Sequence, residues 1–132
     1  MIFVDASAIV ALITREPEAD LLSSKLEASN VRMTSPIAVY EAVLAVARKG
    51  SMTPTDANKL VTDFLTAVKI TSTAIDESMA ATALLAFARF GKGRHPAKLN
   101  MGDCFAYACT RVLGAKLLFK GDDFGQTDIE AA

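Results

Sequence analysis

Three features of the sequence predict an α/β domain built on a mostly parallel sheet. Short apolar runs alternate with longer helix-forming segments along the whole chain, the pattern of β–α–β crossovers. The helical segments are punctuated: several open on Ser-Pro, Thr-Pro or Asn and close on glycine. The length of 132 residues fits one domain, and 52% hydrophobic residues are enough to give it a core. No linker, internal repeat or low-complexity stretch divides the chain, so residues 1–132 read as a single domain.

Taken in order, Met1–Val4 is an apolar run ended by an acid and reads as a buried first strand. Ala6–Thr14 reads as a short helix. Pro17, a residue suited to a first helical position, opens another to about Ala28. Val31–Thr34 is the second strand. Ser35 caps a helix Pro36–Lys49 that Gly50 stops. Thr53-Pro54-Thr55-Asp56 repeats the device as a capping box for a helix to about Ala67. Lys69–Ser72 is the third strand, Asp76–Phe90 a helix closed by Gly91, and Gly91–Leu99 a loop. Asn100–Leu113 is the last helix, followed by Gly114 and the strand Lys116–Phe119. Right-handed crossovers between such strands bring all their carboxyl ends to one sheet edge, where ligands of parallel sheets bind.

The bulk properties exclude several classes. No apolar stretch approaches the roughly 18 residues of a membrane span. The start Met1-Ile2-Phe3-Val4-Asp5 carries no basic leader, so a cytoplasmic protein is expected. Cys104 and Cys109 are five apart, match neither a redox pair nor a zinc knuckle, and are expected to be free and buried. The net charge of −1 disfavours nucleic-acid binding by bulk charge, so any such contact must come from a local basic patch.

Four acidic positions stand out. Asp5 directly follows the first strand, where it or Ser7 could equally cap the next helix. Glu41 lies in Pro36–Lys49 on an arc with Arg48, Ala38, Ala42 and Ala45; alanines around one carboxylate suit a crowded cleft better than a solvated stripe. Asp103 falls three after Asn100, the spacing of a weak capping box, and a first-turn acid at the sheet edge can also reach a metal. Asp122 and Asp123 follow the last strand in what is also an ordinary turn sequence. Convergence of these acids on one edge is what separate capping roles would not require. Two carboxylates about 4 Å apart repel by roughly 4 kcal/mol at an effective dielectric near 20. Either protons or a cation must answer that charge. Oxygen-only ligands favour Mg²⁺, with Mn²⁺ as a substitute, and Mg²⁺ readily takes phosphate as a co-ligand.

Four segments in this order resemble the PIN-domain family, and within it the VapC toxins. They are Met1-Ile2-Phe3-Val4-Asp5-Ala6-Ser7-Ala8, Ser35-Pro36 through Tyr40-Glu41-Ala42, Leu99-Asn100-Met101-Gly102-Asp103 through Ala108, and Leu117 through Asp122-Asp123-Phe124. The resemblance covers essentially the whole chain. It implies a three-layer α/β/α sandwich around a mostly parallel sheet. It implies a catalytic metal site of Asp5, Glu41, Asp103 and a fourth acid, placed on Asp122 because the family's acid commonly precedes such a phenylalanine by two or three positions. Asp123 is the alternative. Ser7 matches a family hydroxyl near the metal or its waters, and Asn100 supports Asp103. It further implies a Mg²⁺-dependent endoribonuclease acting on transfer or ribosomal RNA, a homodimer, and inhibition by a small VapB-like antitoxin whose tail covers the acids.

The loop Lys92, Arg94, His95 and Lys98 is the densest basic stretch and leads into the helix of Asp103, so it reads either as a solvated loop or as an RNA clamp. The helices Pro36–Lys49 and Pro54–Ala67 are apolar over much of their surface; core packing explains most of this, and a dimer or antitoxin interface there is the alternative. The competing readings are a phospho-acceptor signalling domain, a non-catalytic binding module, and a PIN nuclease of RNA processing outside a toxin pair. The first lacks paired acids after the first strand, and Asp76 begins a helix rather than ending a strand.

Overall fold

The computed structural model describes residues 1–132. Four strands, β1 (Ile2–Val4), β2 (Arg32–Thr34), β3 (Thr71–Ser72) and β4 (Lys116–Leu118), form one sheet in the order β3-β2-β1-β4. Every pairing is parallel; Phe3 lies opposite Met33 on one side and Leu117 on the other. The chain steps from β1 to β2 to β3 in one direction, then crosses back to β4 on the far side of β1. The reversal places a topological switch point between β1 and β4.

The same reversal sorts the helices into two layers, because right-handed crossovers running in opposite directions lie on opposite faces. Helices α1 (Ala6–Ile13), α2 (Ala19–Glu27), α3 (Pro36–Gly50) and α4 (Pro54–Ala67) cover one face. Their core gathers Ile2, Val4 and Leu118 with Ile9, Val46 and Val61. Helices α5 (Glu77–Phe90) and α6 (Met101–Leu113) cover the other, where Phe3 and Leu117 meet Phe90, Leu99 and Tyr107. Alternate residues of β1 and β4 thus feed different cores, as the two-residue period of a strand requires. The three-layer sandwich expected from the resemblance is the observed architecture. Cys104 and Cys109 are free and buried in the second core. No helix is long and apolar enough to cross a membrane.

Local differences have physical causes. Helix α2 starts at Ala19, not at Pro17, because Arg15 turns left-handed (φ 52°) after α1 and Pro17 falls inside the turn closed by Ala19 N–H donating to the Glu16 carbonyl at 2.9 Å. Gly50 does not stop α3 but ends it as a helical residue; Ser51 takes the left-handed position (φ 50°) instead. The strands are shorter than expected at one or both ends, and Lys69, expected in β3, is left-handed (φ 55°) after α4. At Thr53 the hydroxyl half of the expected capping box forms, accepting from Asp56 N–H at 3.1 Å. Residues beyond the last helix add a further edge: Leu117 N–H donates to the Glu130 carbonyl and Ala132 N–H to that of Leu117.

Candidate active site

At the switch point, where β1 and β4 end, a cleft of about 520 Å³ opens. Asp5, Glu41 and Asp103 all line it, each delivered by a different element. Asp5 leaves β1 in extended conformation and caps α1, its Oδ2 accepting from Ser7 N–H at 3.0 Å and from the Ser7 hydroxyl at 2.6 Å. The Ser7 oxygen in turn accepts from Lys120 N–H at 3.0 Å, so one hydroxyl ties the ends of β1 and β4 together. Capping and cleft-lining, alternatives in the sequence, are here one role.

Glu41 is held by α3, whose start is fixed by Ser35 Oγ accepting from Ala38 N–H at 3.1 Å. Ala38 and Ala42 beside it are buried, and Ala45 and Arg48 share the cleft wall, as the small-residue arc predicts. Its carboxylate rests on the backbone of Gly102: a β-carbon there would collide with the carboxylate atoms. Asp103 sits at the third position of α6 in a complete capping box, its N–H donating to Asn100 Oδ1 at 2.9 Å and its Oδ2 accepting from Asn100 N–H at 3.1 Å. Asn100 therefore orients Asp103.

The electrostatics follow from this crowding. Burial, then the charges of Asp5 and Asp103, push the Glu41 carboxyl up to about 7. Burial pushes Asp103 up to about 6 against the Asn100 hydrogen bond, with Asp5 and Asp123 adding to the rise. Burial also raises Asp5, although the Ser7 bonds oppose it. None of the three is ion-paired to a basic side chain. Asp122 and Asp123 are both exposed beyond β4 and neither lines the cleft. They lie just before the 3-10 segment Phe124–Gln126, which buried Phe124 anchors.

The donor set suits a hard divalent cation. It is oxygen-only, uncompensated and open to solvent, as an ion that keeps several of its waters needs. The acids share a cleft without closing into a finished cage of three or more ligands.

The basic loop lies outside the cleft. Lys92, Arg94 and Lys98 are exposed, and neither they nor His95 line the cleft. His95 packs edge-on against Phe90 at 5.1 Å, and its Nδ1 accepts from Ala97 N–H at 3.0 Å; it shapes its own loop. The cations of the cleft are Arg48, Lys49 and Lys120, and Glu16 pairs with the two lysines. Sequence reading missed Glu16, Lys49, Lys120 and Gly102 in these roles. Only the last carried a local signal, a glycine inside a helix start that ordinarily favours other residues.

The PIN domain family model matches residues 2–130. A VapC ribonuclease of Rhizobium meliloti is 40% identical, over 98% of this chain and 99% of its own length. The ribonuclease VapC of Mycolicibacterium smegmatis is 39% identical over 97% of each chain. Among solved structures, Mycobacterium tuberculosis VapC20, described as a sarcin–ricin loop cleaving toxin, superposes with a TM-score of 0.77 over 100% of this chain and 98% of its own, at 17% identity. The chain belongs to the PIN-domain family, and within it to the VapC group.

Proposed function

We propose that this protein is a Mg²⁺-dependent endoribonuclease, the toxin half of a VapBC-type pair, acting on transfer or ribosomal RNA. One observation carries the reading: three carboxylates from three elements face one cleft at the switch point of a parallel sheet with no protein cation paired to them. Asp5, Glu41 and Asp103 would hold the metal, with Asp122, or its neighbour Asp123, as the fourth acid. The bound ion supplies a water of lowered pKa and neutralises charge on the phosphate oxygens. Ser7 fixes the Asp5 carboxylate and the entry of β4 beside it. Asn100 fixes Asp103, and Gly102 leaves space for Glu41. Glu41 or Asp103 accepts the proton released by the attacking water. Hydrolysis leaves a 5′-phosphate and a 3′-hydroxyl.

Two apolar surfaces fit the partners such a toxin needs. A groove along α3 and α4, with Tyr40 66% and Leu44 40% exposed, runs into the acidic cleft through Leu44 and suits an antitoxin segment whose tail ends on the acids. A hollow of about 370 Å³ between α5 and α6, bordered by Leu84, Phe87, Met101 and Phe105, suits a second copy.

The decisive experiment incubates antitoxin-free protein with labelled total tRNA and rRNA in Mg²⁺, Mn²⁺ or EDTA, beside Asp103→Asn. Discrete fragments that require metal and vanish in the variant are expected. Products ending in a 2′,3′-cyclic phosphate would overturn the scheme, since the RNA's own 2′-hydroxyl would then have attacked.

A further inference from the structure

Beside the three unpaired acids, the cleft carries a second charged cluster, in which one glutamate pairs with two lysines. Glu16, in the turn between α1 and α2, has a side chain only 14% exposed. It is ion-paired to Lys49 from the last turn of α3 and, at 2.6 Å, to Lys120 after β4. Glu18 adds a longer contact to Lys120 at 3.5 Å. The main chain of Lys120 is also fixed, by the Ser7 hydroxyl that binds Asp5. One carboxylate thus gathers two lysines from distant parts of the chain in the cleft that Asp5, Glu41 and Asp103 also line.

Stability is a poor explanation for this arrangement. Ion pairs of half-exposed lysines add little to folding. The lysine side chains remain 46% and 35% exposed, so their heads stay open to the cleft. An ammonium has three N–H donors; Glu16 uses one of each, and Glu18 stands at 3.5 Å from Lys120. The remaining donors are free to take a further acceptor. A polyanionic strand approaching three uncompensated carboxylates also needs a cation nearby, and the overall charge of −1 supplies none in bulk.

We propose that Lys49 and Lys120 form the seat for an RNA backbone phosphate neighbouring the scissile one, and that Glu16 is a positioning residue holding both lysines at the cleft mouth. The inference rests on the nuclease reading above and adds where the strand is gripped. It also moves the RNA contact from the Lys92–Lys98 loop to the cleft itself.

The first test measures binding of a labelled single-stranded RNA by fluorescence anisotropy at several KCl concentrations. It uses the Asp103→Asn background with Mg²⁺ present, so the RNA stays intact. Adding Lys49→Met and Lys120→Met together should weaken binding about tenfold. It should also lower the slope of log affinity against log salt by about 0.7, the contribution of one neutralised phosphate of a single strand. The second test places Glu16→Gln in the otherwise wild-type protein with total tRNA as substrate. The expected result is a kcat about tenfold lower, a KM within twofold of wild type, an unchanged Tm, and partial recovery of kcat with Glu16→Asp. Unchanged affinity and salt slope in the double lysine variant would overturn the seat even if the protein cleaves RNA. RNA bound with the full lysine-dependent slope but never cleaved would instead remove the hydrolase and leave the seat standing. A Glu16→Gln protein whose kcat falls only in step with its Tm would overturn the positioning role.

Discussion

Glu41 and Gly102 are a matched pair across two helices. The carboxylate occupies the space that any side chain at 102 would fill. Gly102→Ala is therefore expected to leave folding intact, or raise stability by up to about 1 kcal/mol, because alanine is the better helix former and the displaced atoms are the end of a flexible side chain. RNA cleavage should fall at least tenfold as Glu41 is pushed aside; melting curves beside single-turnover rates separate the two effects. Glu41 also sets a pH dependence. Its native pKa, about 7, lies above the ordinary 4.5, so the folded protein holds this proton more tightly than the unfolded chain. The resulting stability is complete below pH 4.5 and is lost as pH rises through about 7. Asp103 acts in the same direction, from 3.8 up to about 6. In EDTA the Tm should fall between pH 5 and pH 8, and Glu41→Gln should flatten that fall. Saturating Mg²⁺ should restore the Tm at pH 8 by replacing the proton as counter-charge; a Tm that rises from pH 5 to 8 in EDTA would contradict the assignment.

Among the elements, α6 does most to place the site. Its capping box satisfies two end groups, and one of the two bonds, from the Asn100 main-chain N–H to Asp103 Oδ2, fixes the carboxylate that lines the cleft. Asn100→Ala should cost about 1 kcal/mol, the usual loss of an N-cap. For a chain of this size that is a Tm lower by about 4 °C. Cleavage should fall no further than this loss of stability explains, because the Asn100 main-chain N–H that holds the Asp103 carboxylate remains. Asn100→Ser, which keeps the cap oxygen, should recover most of the lost stability. The capping residues Asp5, Ser35, Thr53 and Asn100 were legible because their chemistry is local. The false start at Pro17 and the false stop at Gly50 have the opposite cause. Each side of those boundaries is decided by a left-handed residue, Arg15 or Ser51, that propensity does not favour there.

For the molecule as a whole, the largest exposed apolar groups are Leu84 at 72%, Leu85 and Met101 at 67% and Tyr40 at 66%. Three of them stand on or beside the α5–α6 face, away from the α3 and α4 helices that the sequence singled out. Light scattering at micromolar concentration should give a dimer mass, and Leu84→Lys should give a monomer with unchanged far-UV circular dichroism. A wild-type monomer would leave that face without the second copy assigned to it. The far end of the same layer is closed by Asp128, which accepts from Tyr107 at 2.7 Å and pairs with Arg111 at 2.6 Å and Arg89 at 3.3 Å. This clamp holds the final residues along β4.

The sequence by itself determined the α/β class, the strand and helix order, and three acids of one site. Period, caps and the position of Asp5 after a strand are written in neighbouring residues, and the motifs around Glu41 and Asp103 are similarly local. The tertiary structure alone decided which basic residues enter the cleft and why residue 102 is glycine. Those facts depend on contacts between Glu16 and Lys120, 104 positions apart, and between α3 and α6. Long-range contacts of this kind leave no periodic trace in a single chain, because what selects each residue is a neighbour that only folding supplies.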